Sequence, residues 1–216
     1  MKKIIDLADL MKHEILSLYS AEEQISDGLL KMMAQAQDSK LKDILNNRLD
    51  IGKEHLRSLE AIKQSLGEAP TDEDGGGFFS NLFGGSDAVT AVGVEGLIRE
   101  AGKLMQEEMT PQAMDAAVIG AAQKITHYQI AAYGTAAAYA TELKQFDLAV
   151  ELKKALSEEY KTDDALTQLA TGSVNLVAEN AVNNEASPNT NEDLYDRLTD
   201  SVSIMSSSGD SRDDNS

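Results

Sequence analysis

The chain's 216 residues, 42% of them apolar, suffice for one domain with a sizeable core, and the absence of cysteine excludes disulfides, thiolate metal sites and cysteine nucleophiles. Thirty-seven acidic against 19 basic residues give a formal charge of −18, which repels nucleic-acid phosphates and anionic lipid and favours cations or basic partners. No run approaches the roughly 18 apolar residues of a membrane span, and Asp6, Asp9, Lys12 and Glu14 break the N-terminal stretch, so neither a membrane segment nor a signal peptide is expected and a cytoplasmic location is.

Apolar side chains at Leu7, Met11, Ile15, Leu18, Ile25, Leu29 and Met32 recur every three or four residues, which predicts an amphipathic helix over 4–36. Asp38 and Ser39 offer an N-cap to a second helix, 39–66, whose seam reads Leu41, Leu45, Arg48, Gly52, His55, Leu59, Ile62 and Leu66. That seam is polar or empty only in its middle. Gly67 ends the helix, and the glycine clusters of 68–86 predict a loop, which also holds Phe78, Phe79 and Phe83. These aromatics either tuck against the domain or form a protein contact. A shorter helix is predicted over 87–108, then Thr110 and Pro111 supply the cap and first turn of a long one to about 143.

The next helix, 146–178, has a seam of Ala149, Leu152, Leu156, Glu159, Asp163, Leu166 and Ala170, acidic in its middle. From 181 the composition turns to Asn, Ser, Asp and Glu, which predicts a disordered acidic tail with a docking helix near Leu194, Leu198 and Val202 as its alternative. The expected architecture is therefore an all-α four-helix bundle with an additional crossing helix over 1–180, followed by a tail over 181–216.

A charge on a core seam is costly unless it is paired, hydrogen-bonded or bound to metal. Glu22, His55, and the pair Glu159 and Asp163 occupy such positions. Glu22 has two readings, metal ligand or partner of Arg48. Polar groups stacked at one level from several helices are how di-iron carboxylate bundles are built.

The segments "LYSAEEQI" (18–25), "VEGLIREA" (94–101), "AAQKITHYQIAAYGT" (121–135) and "LSEEYKTDDALTQLA" (156–170) resemble the motif blocks of the YciE/YciF stress proteins. The resemblance implies a ferritin-like five-helix fold, a homodimer, and a stress-response protein described as a candidate ferroxidase with iron as its metal. It also implies a ligand set of Glu22, His55, His127, Glu159 and Asp163, with Glu54 and Glu158 as neighbours. The chain departs from the family pattern at two places. Ile51 and Gly52 stand where acidic residues precede the histidine in many members, and Thr126, His127, Tyr128 and Gln129 stand where the family tends towards Glu-His-Tyr-Glu. Neutral oxygens are poorer donors to iron than carboxylates. Zero or one metal per chain is expected, with weak ferroxidase turnover at best, and the alternative is a non-catalytic helical dimer acting as a binding or scaffold protein. A manganese-catalase activity is a weaker third option, since it needs a comparable dinuclear site. No phosphate loop, nucleophile elbow or nucleic-acid patch is present in the sequence.

Overall fold

Asp6 opens the first helix by accepting from the Asp9 amide at 2.8 Å, satisfying one of the backbone donors that a helix start leaves over. The computed structural model describes residues 4–65 and 89–181. In it α1 is Leu7–Gln35 and α2 is Ser39–Ser65. The turn between them is held from outside. Asp38 accepts from the Leu41 amide at 2.9 Å, and the buried carboxylate of Asp115 takes the amides of Gln37 and Asp38 at 2.6 and 3.0 Å.

After the undescribed segment, α3 is Val92–Leu104, α4 is Pro111–Glu142 and α5 is Phe146–Leu169. Thr110 caps α4 through the Ala113 amide at 3.2 Å, with Pro111 in the first turn, as the sequence predicts. The tight α4–α5 link places Lys144 at φ 58°, and the Gln145 amide reaches back to the Ala140 carbonyl at 2.9 Å. Where one helix over 146–178 is expected, α5 ends in a π-helical turn, Ala170–Val174, and a short α6, Asn175–Glu179. The crossing helix is shorter than its expected 87–108. No strand occurs among the described residues.

The order of neighbours is α1, α2, α5, α4 around a square, with α3 lying against α1 and α4. Chain direction follows from which core each helix meets first. One apolar cluster gathers Leu29, Met32, Leu41, Leu45, Ile119, Ile125 and Leu166; the other gathers Met11, Ile15, Leu18, Leu59, Tyr133, Ala136 and Leu152. Helices α1 and α5 meet the second cluster first, whereas α2 and α4 meet the first, so the chain between α2 and α4 connects opposite ends of the bundle. Its α3 part packs into the first cluster through Val94 and Ala101. Gly93 makes that approach close, since a Cβ there would fall 2.8 Å from the Tyr128 ring. This is a ferritin-like bundle with a crossing helix. Phe78, Phe79, Phe83 and the acidic tail beyond Ala181 lie outside the described residues.

Candidate metal centre

Between the two apolar clusters every long helix changes character at the same depth. Glu22 lies between Leu18 and Ile25 on α1; Arg48, Gly52 and His55 lie between Leu45 and Leu59 on α2; Thr126 and Gln129 lie between Ile125 and Tyr133 on α4; Glu159 and Thr162 lie between Ala155 and Leu166 on α5. All eight are buried. A polar layer crosses the bundle, and burial at this depth requires that its charges be compensated within the layer.

Glu22 is the hub. Its Oε1 accepts from Arg48 Nη2 at 3.1 Å, Gln129 Nε2 at 2.9 Å and the Tyr133 hydroxyl at 2.9 Å, and lies 2.9 Å from His55 Nδ1. Its Oε2 accepts from Arg48 Nη2 at 3.0 Å. Burial alone would raise the Glu22 pKa, but the Arg48 charge and His55 outweigh it and hold the carboxyl down to about 2. Arg48 also donates through Nε to Glu159 Oε2 at 3.2 Å, with its Nη2 2.8 Å from Glu159 Oε1. Glu159 fares differently. Burial pushes its carboxyl up to about 7, beyond what Arg48 offsets, and the neighbouring Glu22 charge acts in the same direction.

His55 lies between carboxylates on both sides, with Nδ1 on Glu22 and Nε2 2.9 Å from Glu158 Oε2. Burial works against its charge, yet the Glu22 hydrogen bond and the flanking carboxylates outweigh it and raise its pKa. Tyr133 packs its ring edge against His55, centroids 5.2 Å apart, and burial together with the Glu22 charge drives its phenol well up. A cavity of about 30 Å³ lies beside His55, Tyr133 and Glu158, enough for a water-sized species.

Of the five expected ligands, three converge. Glu22, His55 and Glu159 each bring a ligand atom within 4.8 Å of the others. The other two are elsewhere. His127 is exposed and contacts Asp163 Oδ1 at 3.1 Å, while Asp163 also accepts from Gln123 at 3.4 Å. The reason is the α5 register: its buried face runs Leu152, Ala155, Glu159, Thr162, Leu166 and Leu169, so position 162 rather than 163 enters the layer. On α4 the inward positions are 126, 129 and 133, which turns His127 outward. Tyr133 and Thr162 are the layer members that the seam reading passes over. Their four- and three-residue offsets from Gln129 and Glu159, respectively, are the signal that places them there.

A di-iron carboxylate bundle takes one Glu from each of two helices and a Glu-x-x-His from each of the other two. Against that pattern the chain offers Glu22 on α1, Gln129 on α4, Gly52 with His55 on α2, and Glu159 with Thr162 on α5. Gln129, Gly52 and Thr162 supply no anionic or imidazole donor, and the Thr162 hydroxyl is turned back to the Glu158 carbonyl at 3.1 Å. Position 52 is also closed sterically, since a Cβ there would lie 2.9 Å from Arg48 Nη1 and 3.3 Å from Glu22 Oε2. The residues present do not fit a metal pair.

A family model described as a domain of unknown function, DUF892, matches residues 6–179. Protein YciF of Escherichia coli (strain K12) is 33% identical over 174 residues, 81% of this chain and 96% of that protein. Among solved structures, YcfI of Rhodopseudomonas palustris has a TM-score of 0.68 at 30% identity, covering 78% of this chain and 98% of its own. The E. coli stress protein YciF has a TM-score of 0.67 at 30% identity, covering 80% and 99%. With a polar layer set in a ferritin-like bundle and these relatives along nearly their whole length, the chain belongs to the DUF892 family, that of the stress protein YciF.

Proposed function

We propose that this chain is a ferritin-like stress-response protein whose centre takes at most one divalent cation, and that it does not oxidise Fe(II) at a two-metal site. The observation that carries this is that, among the described residues, Glu22, His55 and Glu159 alone converge, with Gly52, Gln129 and Thr162 at the remaining positions of the six-ligand pattern. Two carboxylates and one imidazole suit a single iron or another divalent ion. Binding would require His55 to give up its proton, because a ligating imidazole must be neutral. The −18 charge favours accumulation of cations around the bundle. Equilibrium dialysis of chelator-treated protein against Fe(II) without oxygen tests the reading. One ion or fewer per chain is the expected stoichiometry, and two would overturn it.

A second reading is a non-catalytic helical dimer that serves as a binding or scaffold protein. Arg48 favours it, because a guanidinium between Glu22 and Glu159 already neutralises much of the layer. In both readings the protein is a homodimer. Phe146 and Val150, one turn apart and well exposed on α5, offer apolar surface for the contact. Light scattering at micromolar concentration should give twice the chain's 23.3 kDa, and a monomeric mass would count against the dimer.

A further inference from the structure

Arg48 occupies an unusual place for a guanidinium. It is buried, its Nε and Nη2 serve two carboxylates from two other helices, and its Nη1 has no hydrogen-bond partner. Nη1 instead points into the space that a side chain at position 52 would fill, 2.9 Å from where a Cβ would stand. Glycine at 52 and arginine at 48 are therefore one steric unit, in which the missing side chain of one admits the head group of the other. The oxygens that the guanidinium contacts belong to Glu22 and Glu159, two of the three groups whose ligand atoms converge.

We propose that the Arg48 guanidinium, admitted by Gly52, is the resident cation of the polar layer and excludes divalent metal from Glu22, His55 and Glu159 until it is displaced. This rests on the single-cation reading above, and makes Arg48 the residue that sets the occupancy of that site. A carboxylate pair cannot direct its lone pairs to a guanidinium and a metal at once without leaving the layer with excess positive charge, so the two cations compete. Metal binding is then coupled to movement of Arg48, and affinity falls by the fraction of molecules in which Arg48 is withdrawn. A withdrawn population of about 1% weakens apparent affinity about 100-fold.

The test is Co(II) titration of chelator-treated full-length wild type, Arg48→Met and Arg48→Met/Glu159→Gln, read by the d–d absorption of bound Co(II) and by the thermal midpoint. The expected result is about 100-fold tighter Co(II) binding by Arg48→Met than by wild type. The midpoint of the single variant should rise with Co(II) while that of wild type stays fixed. The double variant, which has lost one charge of each sign, should fold without metal and respond little. Should Arg48→Met be unfolded in the absence of metal, Co(II) should restore its helical circular dichroism. Equal affinity for wild type and Arg48→Met would overturn the exclusion while leaving the single-cation reading in place. An Arg48→Met protein that neither binds Co(II) nor is refolded by it would also overturn the exclusion, whereas two Co(II) per chain would overturn the single-cation reading.

Discussion

At Glu22, a single buried carboxylate oxygen collects contacts from Arg48, His55, Gln129 and Tyr133. The charge arrangement has a pH signature in metal-free protein. Between pH 2 and 4.5 the unfolded chain holds a proton on Glu22 that the native state has released, so stability is lost as pH falls through that window. Glu159 has the opposite sign: between pH 4.5 and 7 the native state keeps a proton that the unfolded chain has lost, so stability declines as pH rises. His55, also raised, adds to the decline above pH 6.5. The contribution of the layer is therefore greatest near pH 4.5. Glu159→Gln should match wild type there and exceed it at pH 8 by up to about 3 kcal/mol in urea unfolding, since one pKa unit is worth about 1.4 kcal/mol. A wild-type advantage at pH 8 would show that ionised Glu159 is well satisfied by Arg48. Gly52 gives a second prediction. Gly52→Ala should destabilise wild type by about 1–3 kcal/mol through overpacking against Arg48. In an Arg48→Met background it should instead stabilise by about 1 kcal/mol, because helix propensity is what remains. The same sign in both backgrounds, measured by urea unfolding, would dissociate position 52 from Arg48.

The elements themselves were largely legible in the sequence, and the reasons are local. Alternating three- and four-residue spacing identifies α1 and α2, and the cap chemistry of Asp38, Thr110 and Pro111 fixes where α2 and α4 begin. The polar middle of the α2 seam is visible as Arg48, Gly52 and His55 among leucines. What the spacing does not determine is the side of α5 that faces inward. A seven-residue template fits through Leu156 and Asp163 as well as through Ala155 and Thr162, and only contact with α4 and α2 chooses between them. That one choice removes Asp163 from the layer. His127 sits two residues before Gln129, a separation that on a helix points nearly the opposite way. The π-helical turn at Ala170–Val174 holds Gly172 and Ser173, but the apolar spacing of Leu166, Ala170 and Val174 runs on unbroken, so the helix reads as continuous through it. The α4–α5 link carries a prediction of its own. Lys144 adopts a left-handed conformation that glycine takes without a Cβ clash, so Lys144→Gly should raise stability by roughly 0.5–1 kcal/mol by thermal or urea unfolding. A loss of stability would mean that the Lys144 side chain contributes more than the strain it bears.

In the whole molecule the polar layer separates two apolar cores, and four helices from distant parts of the sequence must arrive at one depth for its charges to meet. The link from Arg48 to Glu159 spans 111 residues, and that from Glu22 to Gln129 spans 107. Such long-range pairs fix the axial register of the bundle, because a slip of one turn would leave a carboxylate or guanidinium buried alone. A ferritin-like bundle that compensates its central carboxylates with arginine keeps the fold without the ligand set for two metals. The most direct measurement is iron uptake and oxidation by the wild-type protein. Chelator-treated protein is loaded with Fe(II) under argon, its bound iron per chain is counted, and it is then exposed to oxygen while ferric absorbance is followed. At most one iron per chain is predicted, with ferric formation no faster than in protein-free buffer. Two irons per chain with rapid oxygen-dependent oxidation would contradict the account.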